Sequence, residues 1–159
     1  MVLRTTVYAL SEALLLGEKA LALDTIKDFE RAVHRHSNLI RLGRKAILKL
    51  RYNSQELDRA IETLRKITEE RRKLINIMRS LLSAAYIPQN LNENIDLLTF
   101  FVLEVSVNED RELLSRFSYV IKRHGIELED EDKKELSRAR KDIEELERVS
   151  KELLSRIKS

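Results

Sequence analysis

The sequence predicts an all-α fold, an antiparallel bundle of about five helices of which several are long. Only three Gly and one Pro occur in 159 residues, too few for the turns that sheets and irregular loops require. Charged residues make up 36% of the chain and apolar residues 43%, a balance typical of helices with one apolar stripe and a charged remainder. We expect one helical domain over residues 1–159, large enough to bury a core.

The first two helices are predicted from apolar spacing and from the residues that break it. An apolar residue every three or four positions marks the first helix: Leu3, Val7, Leu10 and Leu14. This helix should cover 3–16 and end at Gly17 in the left-handed conformation. A second helix is expected over about 18–52, and Asn53 or Ser54 should cap the helix that follows.

The third helix, over about 55–85, carries an apolar repeat of seven residues. One position of the repeat holds Leu57, Leu64, Met78 and Ala85, and the other holds Ala60, Ile67, Leu74 and Leu81. A repeat of this length favours coiled-coil packing along a partner helix. Arg71 occupies a position where the repeat calls for an apolar residue.

The second half of the chain begins after the only proline. The stretch "YIPQNLNENI" predicts a linker at 86–95, and an apolar segment follows at about 95–107. Aromatic and β-branched residues leave a strand over 98–107 as an alternative to a helix. Asn108 should cap a new helix over 109–123, which Gly125 then ends. A last helix over about 131–158 repeats Leu136, Ala139, Ile143, Leu146, Leu153 and Ile157.

Positive charge is concentrated in the first half of the chain. Residues 1–85 hold 17 Lys or Arg and 10 Asp or Glu, whereas residues 86–159 hold 13 and 17. We therefore describe a basic three-helix unit, 1–85, and a mildly acidic helical half, 96–159, which can attract each other within or between chains. The abundance of Lys, Glu and Arg also indicates a thermophilic source.

The segment 31–55 contains seven Arg or Lys and no carboxylate. Helical geometry places five of these cations on one side, and we call them the basic stripe: Arg31, Arg35, Arg41, Lys45 and Lys49. The stripe predicts either a solvated helix face or a surface that binds nucleic acid or an acidic partner. The opposite side predicts a helix-packing seam that continues onto the third helix: Ile40, Gly43, Ile47, Leu57, Leu64 and Met78. His36 lies on that apolar side and is expected to be a buried histidine.

Nothing in the sequence predicts catalysis. Cysteine is absent, and the phosphate-binding glycine motifs and the HExxH zinc motif are missing. Glu30 and His34 could share a metal ion at i, i+4, but such a pair is equally suited to a surface salt bridge. Arg31 and His36 resemble the R-x4-H signature of HEPN ribonucleases, yet they point about 140° apart on one helix. We expect no catalytic residue, no metal and no cofactor.

One family resemblance covers residues 8–80. "ALLLGEKALALDTIKDFERAVHRHSNLI" (13–40) resembles the first hairpin of PhoU-like proteins, and "ELDRAIETLRKITEERRKLINI" (56–77) resembles a later helix of that family. The resemblance implies a helical regulator of phosphate transport that assembles with partners and carries metal clusters on E/DxxxD motifs. By position, Glu30 and His34 match one such motif with His in place of Asp. The second helix lacks the Gly-Asp that the family places after its Arg.

The function that these patterns favour is a non-enzymatic helical-bundle interaction or regulatory adaptor protein. We expect homo-oligomeric self-association through a leftover apolar seam, since long helices with narrow stripes seldom bury everything within one chain. The alternative is a nucleic-acid-binding module that uses the basic stripe at 31–49. "MVLRTTVYAL" is a poor signal peptide, and the stretch "IDLLTFFVLEVSV" is too short to span a membrane. A soluble, cytoplasmic protein with no membrane partner is therefore expected.

Overall fold

Every element described in the computed structural model is a helix. The backbone is described at residues 2–84 and 87–158, and the side chains at 23–84 and 87–156. The α-helices are α1 Val2–Tyr52, α2 Leu57–Ser83, α3 Gln89–Phe101, α4 Val107–Arg123 and α5 Asp130–Lys158. The all-α prediction is confirmed, and the strand alternative at 98–107 is wrong because those residues are helical. Among the described residues, no helix combines the length and the apolar composition that crossing a membrane requires.

Helix α1 is a single helix of 51 residues, about 75 Å long at the usual rise per residue. The predicted break at Gly17 is therefore wrong, and residues 3–16 and 18–52 belong to one element. A glycine inside a helix costs only about 1 kcal/mol relative to alanine, and the flanking Ala, Leu, Glu and Lys residues favour helix. The predicted apolar side chains at Leu3, Val7, Leu10 and Leu14 lie outside the residues whose side chains are described.

Asn53 separates α1 from α2, as its residue type predicts. Its backbone is extended, and its side-chain Oδ1 accepts a hydrogen bond from the backbone N–H of Gln55 at 3.0 Å. A short 3₁₀ turn, Ser54–Glu56, leads into α2. The carbonyl group of Lys49 also accepts a bond from the N–H of Asn53, so Asn53 contributes a hydrogen bond to each side of this reversal.

Helices α3 and α4 are joined by a π turn, Val102–Ser106, into one continuous helix that we call the α3–α4 rod. The prediction that Asn108 caps a new helix is therefore wrong, because Asn108 lies inside the rod and its amide donates to the carbonyl group of Glu104. The described residues consequently form four helical rods where about five helices were predicted. Helix α2 ends at Ser83 and the α3–α4 rod begins at Gln89, so the second part of the linker predicted at 86–95 is helical.

Gly125 ends α4 with the conformation that the sequence predicts. Its φ is +59°, in the left-handed region that glycine adopts without a steric penalty. The N–H of Ile126 donates to the carbonyl group of Ile121, and the N–H of Gly125 donates to that of Lys122. This pattern is a Schellman motif, and it turns the chain toward α5 within a few residues.

The four rods pack around one core in the spatial order α1, α2, α5 and the α3–α4 rod. Consecutive rods along the chain run antiparallel. Helices α2 and α5 run parallel, because Arg65 pairs with Asp132 near their starts and Arg79 pairs with Glu145 further along. Within the described residues, α2 and the α3–α4 rod lie across a diagonal of the bundle, and so do α1 and α5.

The apolar side chains at the heptad positions of α2 and α5 pack into the core of this bundle. Among the largest fully buried side chains are Phe29, Ile40, Ile67, Leu74, Met78, Leu113, Phe117, Ile143 and Leu146. The predicted positions Ala85 and Ile157 lie outside the described side chains. The repeats that predict packing along a partner helix therefore find their partners inside one chain over the described range.

The predicted seam lies at the meeting point of three rods. Ile40, Ile47, Leu64 and Met78 are buried, and Leu57 is half-buried. At Gly43, a Cβ atom would lie 2.8 Å from the Cδ2 of Leu113 and 3.1 Å from the Cδ1 of Ile67. The missing side chain thus allows α1 to approach both α2 and α4 closely.

We predict that Gly43→Leu destabilises the fold by about 1–3 kcal/mol, the usual cost of overpacking a core. The new side chain would occupy the space of Leu113 and Ile67, and neither rod can move without disturbing the core. Urea unfolding followed by circular dichroism measures the change. Asn38→Leu, an exposed position on the same helix, is the control and should change stability by less than about 0.5 kcal/mol. Equal stability of the two variants would contradict this packing.

Candidate functional site

Three charged or ionisable side chains meet in the centre of the bundle, and we call them the buried triad: His36, Arg71 and Asp110. The guanidinium group of Arg71 donates twice to the Asp110 carboxylate, from Nε to Oδ2 and from Nη2 to Oδ1, each at 2.7 Å. His36 donates from Nε2 to Oδ2 of the same carboxylate at 2.9 Å. A third guanidinium nitrogen, Nη1, donates to the hydroxyl group of Thr68 at 3.4 Å. The triad therefore joins α1, α2 and α4.

The ionised carboxylate is the centre of this network. Burial alone would raise the pKa of Asp110, but hydrogen bonds from His36 and Arg71, together with the positive charge of Arg71, hold that pKa below its ordinary value. Both carboxylate oxygens accept at least one charge-assisted or buried hydrogen bond, which is the condition under which a buried charge is tolerated. Asp110 is thus kept ionised inside the core.

Residues 102–110 of the rod show how Asp110 comes to face inward. The buried positions in this stretch are Val102, Ser106, Val107 and Asp110, at the three- and four-residue spacing that keeps one side of a helix turned inward. A π turn lies within the stretch, and the N–H of Val107 donates to the carbonyl group of Val102 five residues earlier. The helix therefore continues without a break to Asp110.

The triad is closed to solvent. His36, Arg71 and Asp110 are each at most 1% exposed, so no substrate can reach them while the bundle is packed. Arg71 and Asp110 lie on the two rods that face each other across a diagonal, and their bidentate contact fixes how these rods are aligned. This arrangement fits a structural role better than catalysis, since a general acid or base must touch its substrate.

The basic stripe lies on the outer side of α1. All five residues are exposed, and Arg31 forms an i, i+3 ion pair with Asp28 at 3.7 Å. Within the described residues, the other four have no carboxylate within 4 Å: Arg35, Arg41, Lys45 and Lys49. The carboxylates of α5 instead pair with α2, through Arg65, Arg72 and Arg79. The acidic half of the same chain therefore does not cover the stripe.

Large apolar side chains are exposed on α3 at i, i+3 and i+4 spacing, and we call them the α3 patch: Leu97, Phe100 and Phe101. Their exposed fractions are 64%, 54% and 38%. Beside the patch runs an open groove of about 680 Å³ between α3 and α1, whose lining includes Glu30, Arg31 and His34. Three such residues on one stripe of a helix resemble the anchors of a helix that docks into an apolar groove.

The metal-binding and ribonuclease arrangements suggested by sequence spacing are not assembled. Glu30 and His34 are exposed, and across residues 23–84 and 87–156 no three His, Asp or Glu side chains are grouped closely enough to hold a metal ion. Arg31 is exposed beside Asp28, whereas His36 is buried and bonded to Asp110. The two members of the R-x4-H pattern therefore do not converge on one site.

No protein-family model matches the chain, and comparisons with curated proteins and with solved structures find no match. The resemblance to PhoU-like proteins stays a prediction for that reason. Function has to be argued from the side chains and surfaces of this molecule.

We predict that Asp110→Asn destabilises the protein by about 3–5 kcal/mol, because it leaves the Arg71 charge buried without its counterion. The triple variant His36→Leu, Arg71→Met and Asp110→Leu removes all three members of the buried triad at once and should be more stable than Asp110→Asn. Urea unfolding at neutral pH gives both free energies. A triple variant that is less stable than the single one would contradict this assignment.

The lowered pKa of Asp110 also predicts how stability depends on pH. Its contribution is complete above the ordinary aspartate pKa of about 4 and is lost as the pH falls through the lower folded value. The stability difference between wild type and Asp110→Asn should therefore shrink below about pH 4. Glu93→Gln, at an exposed carboxylate, should stay within about 0.5 kcal/mol of wild type throughout. A constant difference for Asp110→Asn would refute the linkage.

Proposed function

We propose that the protein is a non-enzymatic helical-bundle interaction or regulatory adaptor protein that associates with other helices, including those of a second copy of itself. The observation that carries this proposal is the α3 patch, because three large apolar side chains are left exposed on one helical stripe. Exposed apolar patches rimmed by polar residues mark interaction sites. The closed triad supports a protein without catalysis, and a cytoplasmic location is part of the same proposal.

A second copy is the partner that the sequence favours. The three side chains of the patch offer on the order of 300 Å² of apolar surface, whereas a stable interface buries about 800 Å² on each partner. A stable dimer therefore needs a further apolar helix face. The apolar repeat that the sequence carries at residues 3–14 is the segment we propose for such a face, and the described side chain of Leu23 is exposed.

The unpaired cations of α1 favour a second candidate function, the binding of nucleic acid or of an acidic protein. In the described structure, four residues of the basic stripe have no carboxylate partner. A polyanion that binds these four residues would displace water and counterions and would not have to break an ion pair of the protein. Contacts of this kind read phosphate charge and carry no sequence information. Such binding would weaken steeply with salt.

We predict that Phe100→Glu weakens self-association at least tenfold, because it places a charge in the centre of the apolar contact. Sedimentation velocity over a range of protein concentrations measures the effect. Leu42→Glu makes the same change at a residue that is 53% exposed on α1 and should leave association as in wild type. Both variants should unfold at the wild-type temperature, since they are surface changes.

Two outcomes would contradict the proposal. One is a wild-type protein that stays monomeric at every concentration tested. The other is an equal loss of association in Phe100→Glu and Leu42→Glu, which would show that added charge alone disperses the oligomer.

A further inference from the structure

A concave, strongly basic surface lies between the ends of α1 and α4, away from the α3 patch. We call it the arginine groove: Arg44, Arg51, Arg116, Tyr119, Arg123 and His124. The space between the two helices measures about 340 Å³, within the range of ligand sites in proteins. Its floor is apolar and includes Ile47, Leu113 and Val120. Two of its four arginines, Arg44 and Arg51, lie in the segment 31–55, and the other two, Arg116 and Arg123, lie on α4.

The charges of the groove are only partly neutralised. Arg44 pairs with Glu109 at 3.4 Å, and Arg116 pairs with Glu112 on its own helix. In the described structure, Arg51 and Arg123 have no carboxylate within 4 Å, and Arg123 donates to the Tyr119 hydroxyl group at 2.8 Å. Two guanidinium groups from different helices thus face the same space without a counterion.

Helix dipoles explain the positions of two of the four arginines and leave the other two unexplained. Arg51 and Arg123 lie in the last turns of their helices, where a cation is favoured by the negative end of the dipole. That effect fades within one turn, and Arg44 and Arg116 lie about two turns earlier. The dipole therefore does not account for four arginines around one cavity.

Tyr119 adds an aromatic surface to the charge. Its side chain is 57% exposed, although a tyrosine ring is usually buried at least in part. The hydrogen bond from Arg123 fixes its hydroxyl end, so the ring is held beside the guanidinium groups. An exposed ring next to unpaired arginines is the combination with which proteins bind the bases and phosphates of single strands.

We propose that the arginine groove binds a single-stranded nucleic acid, with phosphodiester groups on Arg51 and Arg123 and a base stacked on Tyr119. The basic stripe lacks aromatic side chains and can attract phosphates only through charge. The groove offers both charge and stacking, and it is the better site for a strand. This site does not depend on self-association through the α3 patch.

The test is a fluorescence-anisotropy titration of the full chain with a labelled single-stranded oligonucleotide of about 16 nucleotides. Arg51→Gln with Arg123→Gln should weaken binding at least tenfold. It should also lower the slope of log affinity against log salt by about 1.4, because two phosphate contacts are lost. The matched control, Arg31→Gln with Arg35→Gln, removes the same charge from the stripe, about 24–30 Å along α1 from Arg51, and should weaken binding far less.

Two variants of Tyr119 separate stacking from charge. Tyr119→Leu removes the ring and should weaken binding about five- to a hundredfold, whereas Tyr119→Phe keeps the ring and should bind nearly as wild type. Both changes are at an exposed position, and thermal unfolding checks that the fold is intact.

Four results would overturn the proposal. They are the absence of wild-type binding at low salt, equal losses in the groove and stripe variants, and equal binding of Tyr119→Leu and Tyr119→Phe. The fourth is competition by a mononucleotide or by a poly-glutamate peptide as strong as that by the unlabelled strand, since this would assign the groove to a free nucleotide or to an acidic protein.

Discussion

The contact between Arg71 and Asp110 is the constraint on which the rest of the bundle depends. Burying two charges is costly, and that cost is offset only if the geometry is good and the remaining polar atoms find partners. Here the guanidinium group reaches across a diagonal of the bundle and His36 donates from a third helix. Apolar side chains could pack in several alignments of the rods, whereas the hydrogen bonds of the buried triad form in only one alignment. We interpret the triad as the element that selects a single alignment of the rods.

Sequence patterns predicted the helical class, the Asn53 cap and the Gly125 terminus because each depends on a few neighbouring residues. Gly17 and Asn108 were misread for the same reason. Local signals favour a break there, but a single residue of low helix propensity costs at most about 1 kcal/mol, and the helix-forming residues around it outweigh that cost. Of the triad, His36 and Arg71 were visible as polar residues at apolar positions. Asp110 was not, because it resembled an ordinary first-turn acid of a helix beginning at 109, and because the π turn that continues the helix through this stretch has no sequence signal.

The ion pairs also explain why charge is unevenly covered. Arg65, Arg72 and Arg79 recur every seven residues and face the acids of α5, which fixes the alignment of two parallel helices as charged flanking positions do in coiled coils. Each exposed pair is worth at most about 1 kcal/mol. Because α1 lies diagonally opposite α5, its cations cannot reach those acids. The positive charge of α1 thus stays exposed because of where the helix lies in the bundle, and amino-acid composition alone does not predict that position.

The inner and outer sides of helix α1 are consequently under different constraints. Its inner side holds Gly43 and His36, where a close approach and a buried hydrogen bond leave no freedom for change. Its outer side is free of such constraints, and four of the five cations of the basic stripe have no carboxylate partner among the described residues. A purely solubilising face would be served equally well by carboxylates, and mixed signs would avoid the mutual repulsion of like charges on successive turns. The absence of carboxylates from residues 31–55 fits the anionic partner proposed above as well as a solvated face.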